Sequence, residues 1–337
     1  MNGEVFSQST WVVARAAQLY YVEDRPQSEI ATLLGVSVPT VSRLLGRARD
    51  EGLVRFSITE PFASCLSLER ELVQLGGLTR AMVIPAEPSD DGETIKRAVA
   101  LEGARLLQRI TTPQDILGVA WGGTMYHLIR YLNPCRKVRA SFVTLHGSIS
   151  CGGPDLDAKT LVGRIAMAFG GRRYAIACDG LQNGPERVAQ LSAEDEVERV
   201  QSLYDKITVS VSGVGSMYPS LESRLVRSGY LSRAEIAELT AAGAHGDLML
   251  RFFDGNGAEC RSSLVDRTVA ISFEKYRRIP RKIIAASGTS KAECVSAMIR
   301  GRLVDILIID EWLARDLVAL GEREPAAPML ARRESPS

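Results

Sequence analysis

Cysteine and histidine are scarce in this chain of 337 residues, which contains six cysteines and three histidines. No two cysteines form a CxxC pair, so the sequence predicts neither a structural zinc site nor a disulfide framework. A cysteine spacing of this kind is typical of a protein in a reducing cytoplasm, where we expect this one to act. We expect no metal ion and no cofactor.

Long apolar runs are also missing. No stretch of roughly 18 or more apolar residues occurs, so we expect no membrane-spanning segment. Residues 1–10 are polar and lack the apolar centre of a signal peptide. The net charge is only +1, so any contact with nucleic acid has to come from a local cluster of cations. The hydrophobic content of 45% supplies enough apolar material for a large core.

The spacing of apolar residues divides the chain into two parts. Residues 9–52 have helical periodicity, and residues 53–58 predict a short strand beside the helices. From Arg80 onward, seven short apolar runs alternate with helical stretches, and these runs are 81–84, 116–120, 142–145, 174–177, 207–211, 283–286 and 306–309. Such runs are typical of parallel strands covered on both faces. We therefore predict an α/β fold, with a small all-α domain followed by a doubly wound, mostly parallel, Rossmann-like domain.

Residues 27–50 have the pattern of a helix-turn-helix, QSEIATLLGVSVPTVSRLLGRARD. Ile30 and Ala31 share one face of a first helix, and Gly35 suits the left-handed cap that ends it. The second helix has an inward apolar stripe, which consists of Val41, Leu44, Leu45 and Ala48. A small alanine and a turn glycine are what two closely packed helices of this motif require.

The second helix also carries side chains that suit duplex DNA. Ser37 can cap this helix, Pro39 is tolerated in its first turn, and its N-terminal end is expected at the base edges of the major groove. The expected DNA-contacting residues, which include two arginines suited to guanine, are Gln27, Ser37, Pro39, Thr40, Ser42, Arg43 and Arg47. A helical hairpin with a solvated charged face is the alternative. Residues 37–49 contain three arginines and no acid, which favours DNA.

In the second part, three strand ends run into small glycine-bearing turns. The residues of these turns that we select as ligand candidates are Gly122, Gly123, Thr124, His146, Gly147, Gly288 and Lys291. Glycine lets backbone N–H groups approach a ligand, and the helix N-terminus that follows favours an anion. No Walker A motif or GxGxxG follows the first strand, so a phosphate ester is a simpler ligand than a nucleotide.

Two later segments, GAHGD and FFDGNG, supply further candidates. Asp247 can accept hydrogen bonds from sugar hydroxyls, whereas Asp254 suits a tight Asp-Gly turn equally well. His245 and His146 can line a pocket or be structural. Cys178-Asp179-Gly180 follows another strand and stays ambiguous.

The ordered motifs GVAWGGT, LHGS, GVGS, GAHGD, FFDGNG and ASGTSKAECVSAMIRGRLVDILIIDEWLARDL follow the helix-turn-helix. With this set the chain resembles the SorC/DeoR-type family of sugar-responsive bacterial regulators over residues 11–320. The resemblance implies a homo-oligomer, a dimer or tetramer, that binds double-stranded operator DNA. It also implies an effector domain related to sugar-phosphate isomerases and coenzyme A transferases, with a phosphorylated sugar or polyol as effector.

By the same resemblance, the phosphate-binding turns correspond to residues 122–124 with Gly288 and Lys291, and the hydroxyl-binding side to the LHGS and GAHGD segments. The chain departs from the family pattern at His245, at Cys178-Asp179 and at Ser287. These departures affect the identity of the sugar more than the fold.

The expected domains are a helix-turn-helix domain, a linker helix, an effector and oligomerisation domain, and a flexible tail, at 1–60, 61–76, 77–320 and 321–337. Two alternatives stay open. One is a sugar-phosphate isomerase-like enzyme with a DNA-binding appendage, although the pocket candidates do not supply a base with a partner, and we expect no catalytic residue. The other is an oligomeric binding protein whose hairpin contacts other proteins.

Overall fold

The computed structural model describes residues 9–149 and 153–323, in two compact units that divide between Glu60 and Pro61. Residues 324–337, which are most of the predicted flexible tail, lie outside the described residues. The first three residues of that tail, 321–323, belong to the last helix and are not a separate segment.

The described part of the first unit, from residue 9 onward, contains three helices, α1 (Thr10–Tyr21), α2 (Gln27–Leu34) and α3 (Val38–Asp50). Gly35 ends α2 in the left-handed conformation at φ 63°, as predicted. The Ser37 hydroxyl caps α3 by accepting a hydrogen bond of 3.3 Å from the Thr40 N–H. The apolar residues predicted to face inward on α2 and α3 are buried together with residues of α1, and they are Ile30, Ala31, Val41, Leu44, Leu45 and Ala48.

Residues 53–58 do not form the strand that the sequence predicts. The side chains of Phe56 and Ile58 are 66% and 60% exposed, although the Phe56 ring packs edge-on against Tyr21 with the centroids 5.2 Å apart. An apolar alternation makes a strand only where a neighbouring strand can pair with its backbone groups. Within the described part of the first unit, no such neighbour exists.

The second unit is an α/β fold. Its helices are α4 (Phe62–Gln74), α5 (Gly92–Ile110), α6 (Gly123–Arg130), α7 (Ala158–Phe169), α8 (Pro185–Ser192), α9 (Asp195–Gln201), α10 (Arg224–Arg227), α11 (Arg233–Ala241), α12 (Phe273–Arg277), α13 (Ala292–Arg300) and α14 (Glu311–Arg323). Its strands are β1 (Arg80–Ile84), β2 (Ile116–Val119), β3 (Ser141–Thr144), β4 (Arg172–Tyr174), β5 (Val209–Ser212), β6 (Gly215–Ser216), β7 (Gly246–Leu248), β8 (Arg251–Phe253), β9 (Arg281–Ala286) and β10 (Ile306–Asp310).

Seven strands pair in parallel in the order β1-β10-β9-β5-β2-β3-β4. Each of the seven predicted apolar runs corresponds to one of them, and β4 is displaced toward the N-terminus because its pairing with β3 ends at Tyr174. Alternate residues of a strand face opposite sides of a sheet. Accordingly, Ile283 packs with α5, α6 and α7 on one face, whereas Ile284 packs with α4, α13 and α14 on the other. The doubly wound parallel fold is confirmed.

The helix predicted as a linker is part of the α/β unit. α4 contacts β1 and α14, and its residues Cys65, Leu68 and Leu72 are buried in the core on that face of the sheet. Leu72 is only 1% exposed. A fragment that begins after α4 would therefore expose part of this core.

A small antiparallel sheet, β6-β7-β8, was not predicted from the sequence. Its strands are two or three residues long and do not show a clear alternation. In the large sheet, the chain leaves β2 toward β3 and leaves β5 toward β9, although β2 and β5 are neighbours. Connections that depart in opposite directions leave a crevice at the carboxyl ends of such strands.

Candidate functional site

A cavity of about 390 Å³ lies at this crevice. The segments that line it follow the carboxyl ends of β2, β5 and β9, and the first turns of α5 and α10 together with β7 complete its wall. Six of the eight ligand candidates chosen from the sequence line the cavity, namely Gly122, Gly123, Thr124, Asp247, Gly288 and Lys291.

Two glycines give the cavity turns their shape. Gly122 and Gly288 have φ angles of 115° and 95°, which residues with a side chain rarely adopt. Gly122 is the N-cap of α6 and lines the cavity with Gly123 and Thr124, so the helix N-terminus, where backbone N–H groups lack helical partners, lies at the cavity. The Gly288 N–H donates a hydrogen bond of 2.7 Å to the buried carboxylate of Asp310, which holds the second turn in place.

Asp247 is the buried acid of the cavity, with a side chain that accepts a hydrogen bond from the Ser223 hydroxyl. Burial raises the pKa of Asp247 to about 6, against the opposing effects of the Ser223 hydrogen bond and the Lys291 charge. Gly215 on β6 faces this carboxyl closely, since a Cβ at position 215 would overlap Asp247 Oδ1. Because Asp247 also lines the cavity, its carboxyl can accept hydrogen bonds from a polar ligand there.

Lys291 ends the 3-10 turn Thr289–Lys291 before α13 and is half-buried. Burial lowers the pKa of its ammonium group, and the positive charge of Lys96 lowers it further, whereas the negative charge of Asp247 raises it. Removal of charged groups from water is unfavourable unless opposite charges or donors compensate. An anion with hydroxyl groups would give Lys291 an opposite charge and Asp247 hydrogen-bond donors.

Sequence reasoning missed several cavity residues. Lys96 of α5 and Arg224 and Arg227 of α10 add three cations. The Arg224 guanidinium lies over the N-terminus of α6, because its Nη2 would be 3.5 Å from a Cβ at Gly123. No local motif distinguishes these residues from ordinary helix cations, since the fold alone brings α5 and α10 to the cavity.

His146 and Gly147, which we also expected in the site, are not among the residues that line the cavity. His146 is fully buried, its Nε2 accepts a hydrogen bond of 3.2 Å from the Trp121 N–H, and its Nδ1 is 2.7 Å from the Gly147 carbonyl oxygen. Burial lowers the pKa of this histidine to about 4, so the imidazole is neutral at pH 7. His146 thus holds the backbone of Trp121, the first residue of the cavity turn, without lining the cavity itself.

The remaining ambiguous residues also have structural partners. His245 lies outside the cavity lining and its ring packs on Tyr218 at 4.7 Å. The Asp254 carboxylate accepts hydrogen bonds from the N–H groups of Asn256 and Ala258, as expected for a tight turn. The segment with Cys178 and Asp179 pairs with Ser148, away from the cavity lining.

In the first unit, α3 exposes the side chains of Ser42 and Arg43 on the side opposite to its buried stripe. Arg43 Nη2 is 3.4 Å from Thr40 Oγ1, and Arg47 forms an ion pair with Glu51 one turn later. Gln27 begins α2 and Pro39 lies in the first turn of α3. Ser37, Ser42 and Arg43 are exposed at the cap and in the N-terminal half of α3.

Comparisons with known proteins match both units. A family model described as a sugar-binding domain (Sugar-bind) matches residues 60–319, and a model of region 4 of sigma-70 matches residues 18–51. The deoxyribonucleoside regulator of Bacillus subtilis is 30% identical over 303 residues, which are 90% of this chain and 96% of that protein. The sorbitol operon regulator of Klebsiella pneumoniae is 27% identical over 313 residues, which are 91% and 97% of the two chains.

The crystal structure of the full-length sorbitol operon regulator SorC from Klebsiella pneumoniae superposes with a TM-score of 0.72 and 27% identity, over 93% of this chain and 99% of that one. A helix-turn-helix unit and an α/β sugar-binding unit in one chain define a DNA-binding transcriptional regulator. This chain belongs to the SorC/DeoR-type family of sugar-responsive transcriptional regulators. The comparisons support this interpretation and not the isomerase alternative.

No helix in the described ranges is both long and apolar enough to cross a membrane.

Proposed function

We propose that this protein regulates a carbohydrate or polyol catabolic operon, and that a phosphorylated sugar or polyol in the cavity changes its affinity for operator DNA. The observation that carries the proposal is the meeting of two glycine turns, Lys291 and Asp247 in one cavity. A phosphate needs N–H donors and cations, and sugar hydroxyls need acceptors, so one small molecule with both groups uses the whole set.

The phosphate is assigned to Lys291 and to the turns at residues 122–124 and 287–290. Backbone N–H groups at a helix N-terminus bind a phosphate favourably because the helix dipole adds to their hydrogen bonds. Thr124 is buried beside these groups and brings a hydroxyl donor. The sugar hydroxyls are assigned to Asp247, whose carboxylate has lone pairs left after it accepts from Ser223.

DNA contact is assigned to α3 and to the start of α2, with Arg43 and Arg47 at base edges, Ser42 and Thr40 at bases or phosphates, and Gln27 at a phosphate. Arg47 has to leave or share its ion pair with Glu51 to reach a base. That pair is about one third exposed on both sides, and exposed pairs contribute only about 0.2–1 kcal/mol. Its loss is therefore small beside one good guanine contact.

We further propose that the active form is a homodimer or homotetramer in the cytoplasm. One helix-turn-helix reads few base pairs, so two-fold symmetric half-sites about one helical turn apart are expected. Light scattering of the protein, free and with operator DNA, tests this assembly. A monomer under both conditions contradicts it.

The effector assignment is tested by calorimetry on the full-length protein with matched pairs of a sugar phosphate and its free sugar, such as glucose 6-phosphate with glucose and ribose 5-phosphate with ribose. At least one phosphate is expected to bind well and its free sugar poorly, because unpaired donors and a cation otherwise face no anion. Lys291→Ala should lose this binding and keep operator affinity in a gel shift without ligand. Equal binding of phosphate and free sugar, or normal phosphate binding by Lys291→Ala, contradicts the assignment.

The isomerase alternative predicts a different result. An enzyme would convert its sugar phosphate and show no ligand-dependent shift of the promoter beside its gene. Gel shifts with and without the phosphate, followed by analysis of the recovered sugar, separate the two functions. A ligand-dependent shift with unchanged sugar supports the regulator.

A further inference from the structure

Lys96 lies in the second turn of α5 and lines the same cavity as Lys291. Its side chain is 27% exposed, and its Nζ is 2.7 Å from Glu93 Oε2. The two lysines are close enough that the charge of Lys96 lowers the pKa of the Lys291 ammonium group. Two like charges in one partly buried cavity repel each other, and an anion bound between them offsets this repulsion.

Glu93 fixes Lys96 with respect to the phosphate turn. Its second carboxylate oxygen, Oε1, is 2.6 Å from His127 Nε2 on α6. The His127 side chain is only 14% exposed, so this contact is held by packing between α5 and α6. α6 is the helix that begins at the Gly122 turn. The first turn of α5 is therefore tied to the helix that presents its N-terminus to the cavity.

An ordinary ion pair on a helix surface does not account for this arrangement. A Glu–Lys pair three residues apart stabilises a helix only slightly and leaves the lysine in water. Lys96 instead lines a cavity together with a second lysine, and its charge lowers the pKa of the Lys291 ammonium group. An ammonium group has three N–H donors, and Glu93 uses one of them. The other two donors are therefore available to a ligand in the cavity that Lys96 lines.

We propose that Lys96 is a second effector-binding cation, and that together with Lys291 it makes the cavity select a dianionic phosphate over a singly charged carboxylate. The inference deepens the proposed effector function and rests on it. Two ammonium groups from two elements each make a charge-assisted hydrogen bond to the same anion. A phosphate has two charges and three free oxygens for them, whereas a carboxylate has one charge and two oxygens.

The test uses calorimetric titration of the full-length protein with inorganic phosphate and, separately, with acetate, at pH 8.5. The variants are Lys96→Met and Lys96→Gln, which remove the charge, and Lys96→Arg, which keeps it. Lys206→Met is the matched control, because Lys206 is exposed in the turn before the amino end of β5, whereas the cavity lies at the carboxyl end. Thermal unfolding of each variant shows that it is folded.

The wild type is expected to bind phosphate more tightly than acetate. Lys96→Met and Lys96→Gln should weaken phosphate binding about tenfold or more, as for one lost hydrogen bond to a charged group, and should affect acetate much less. Lys96→Arg keeps the charge and should lose much less phosphate affinity than Lys96→Met, and Lys206→Met should bind phosphate like the wild type.

Phosphate binding by a folded Lys96→Met or Lys96→Gln at wild-type affinity overturns the assignment of Lys96 and leaves the proposed effector function intact. An equal loss for phosphate and acetate overturns the selection for a dianion. If the wild type binds neither inorganic phosphate nor any sugar phosphate, the proposed effector function fails, and the assignment of Lys96 fails with it.

Discussion

Replacement of Asp247 by asparagine should make the ligand-free protein more stable above pH 6. Burial raises the pKa of this carboxyl from 3.8 to about 6 in the folded chain, so the ionised form is held against an unfavourable free energy. At about 1.4 kcal/mol per pKa unit, that difference corresponds to at most about 3 kcal/mol. Asparagine keeps the shape and can still accept from Ser223, but it carries no charge. We expect a gain of about 1–3 kcal/mol at pH 7.5.

The pH dependence of stability provides an independent test of the direction of this effect. The folded chain binds this proton more tightly than the unfolded chain, so wild-type stability should fall as the pH rises from about 4 to about 6. Above that range the loss is complete. Asp247→Asn should lack this part of the dependence, and the two proteins should therefore be nearly equal near pH 4.

Urea unfolding at pH 4 and pH 7.5 measures both effects. Trp11→Phe in every protein compared leaves only tryptophans of the α/β unit to report the transition. Asp316→Asn, a change at an exposed residue of α14, is the control and should stay within about 0.5 kcal/mol of the parent. Equal or lower stability of Asp247→Asn at pH 7.5, with an unchanged pH dependence, would refute the reasoning. The same variant should bind a sugar phosphate more weakly, because its side chain has one acceptor oxygen fewer for hydroxyls.

Three further changes test other parts of the molecule. Gly215→Ala should abolish calorimetric binding of the sugar phosphate, since the new methyl group overlaps the Asp247 carboxyl; normal binding would place the hydroxyl site elsewhere. Arg43→Ala should cost about 1–3 kcal/mol of operator affinity and relax specificity at one base pair per half-site in gel shifts, and equal binding across operator variants would contradict this. Leu72→Ala should destabilise the α/β unit by about 2–5 kcal/mol in urea unfolding, because Leu72 is fully buried, whereas a linker residue would change little.

The sequence predicts six strands of the large sheet well because these strands are largely buried, whereas the edge strand β4 is exposed or half-buried and meets its predicted run only at Tyr174. Buried strands are short continuous apolar runs, and their signal does not depend on tertiary context. The same holds for α2 and α3, where Gly35 and Ser37 have local roles that the backbone imposes. Residues 53–58 show the limit of this reasoning, because an alternating pattern cannot indicate whether a partner strand is present.

The lining of the cavity was predicted from its turns and therefore only in part. Glycine turns after strands have a local signature, and those at Gly122 and Gly288 line the cavity. Lys96 and Arg224 have no such local signature, because their place in the cavity lining depends on which helix ends the topology brings together. His146 illustrates the opposite error. It follows a strand like the others, but its ring is turned inward to hold the Trp121 N–H.

The charges of the cavity offer a physical link between the proposed effector binding and regulation. Without a ligand, Asp247 has a raised pKa and Lys291 a lowered one, so both groups are held in less favourable surroundings than water provides. On the proposed function, a phosphorylated polyol would give hydroxyl donors to the first and an anion to the second, and it would stabilise the conformation in which both face the cavity. A ligand shifts an equilibrium only by the difference in its affinity for two states. If the DNA-binding and non-binding conformations differ in the position of the turn at residues 287–291, the effector alters operator affinity by that difference.

Couplings of this kind are typically about 1–3 kcal/mol, and operator DNA must change effector affinity by the same factor. Calorimetric titration of the effector with and without bound operator measures this reciprocity, and an effector affinity that DNA leaves unchanged would separate the cavity from the regulation.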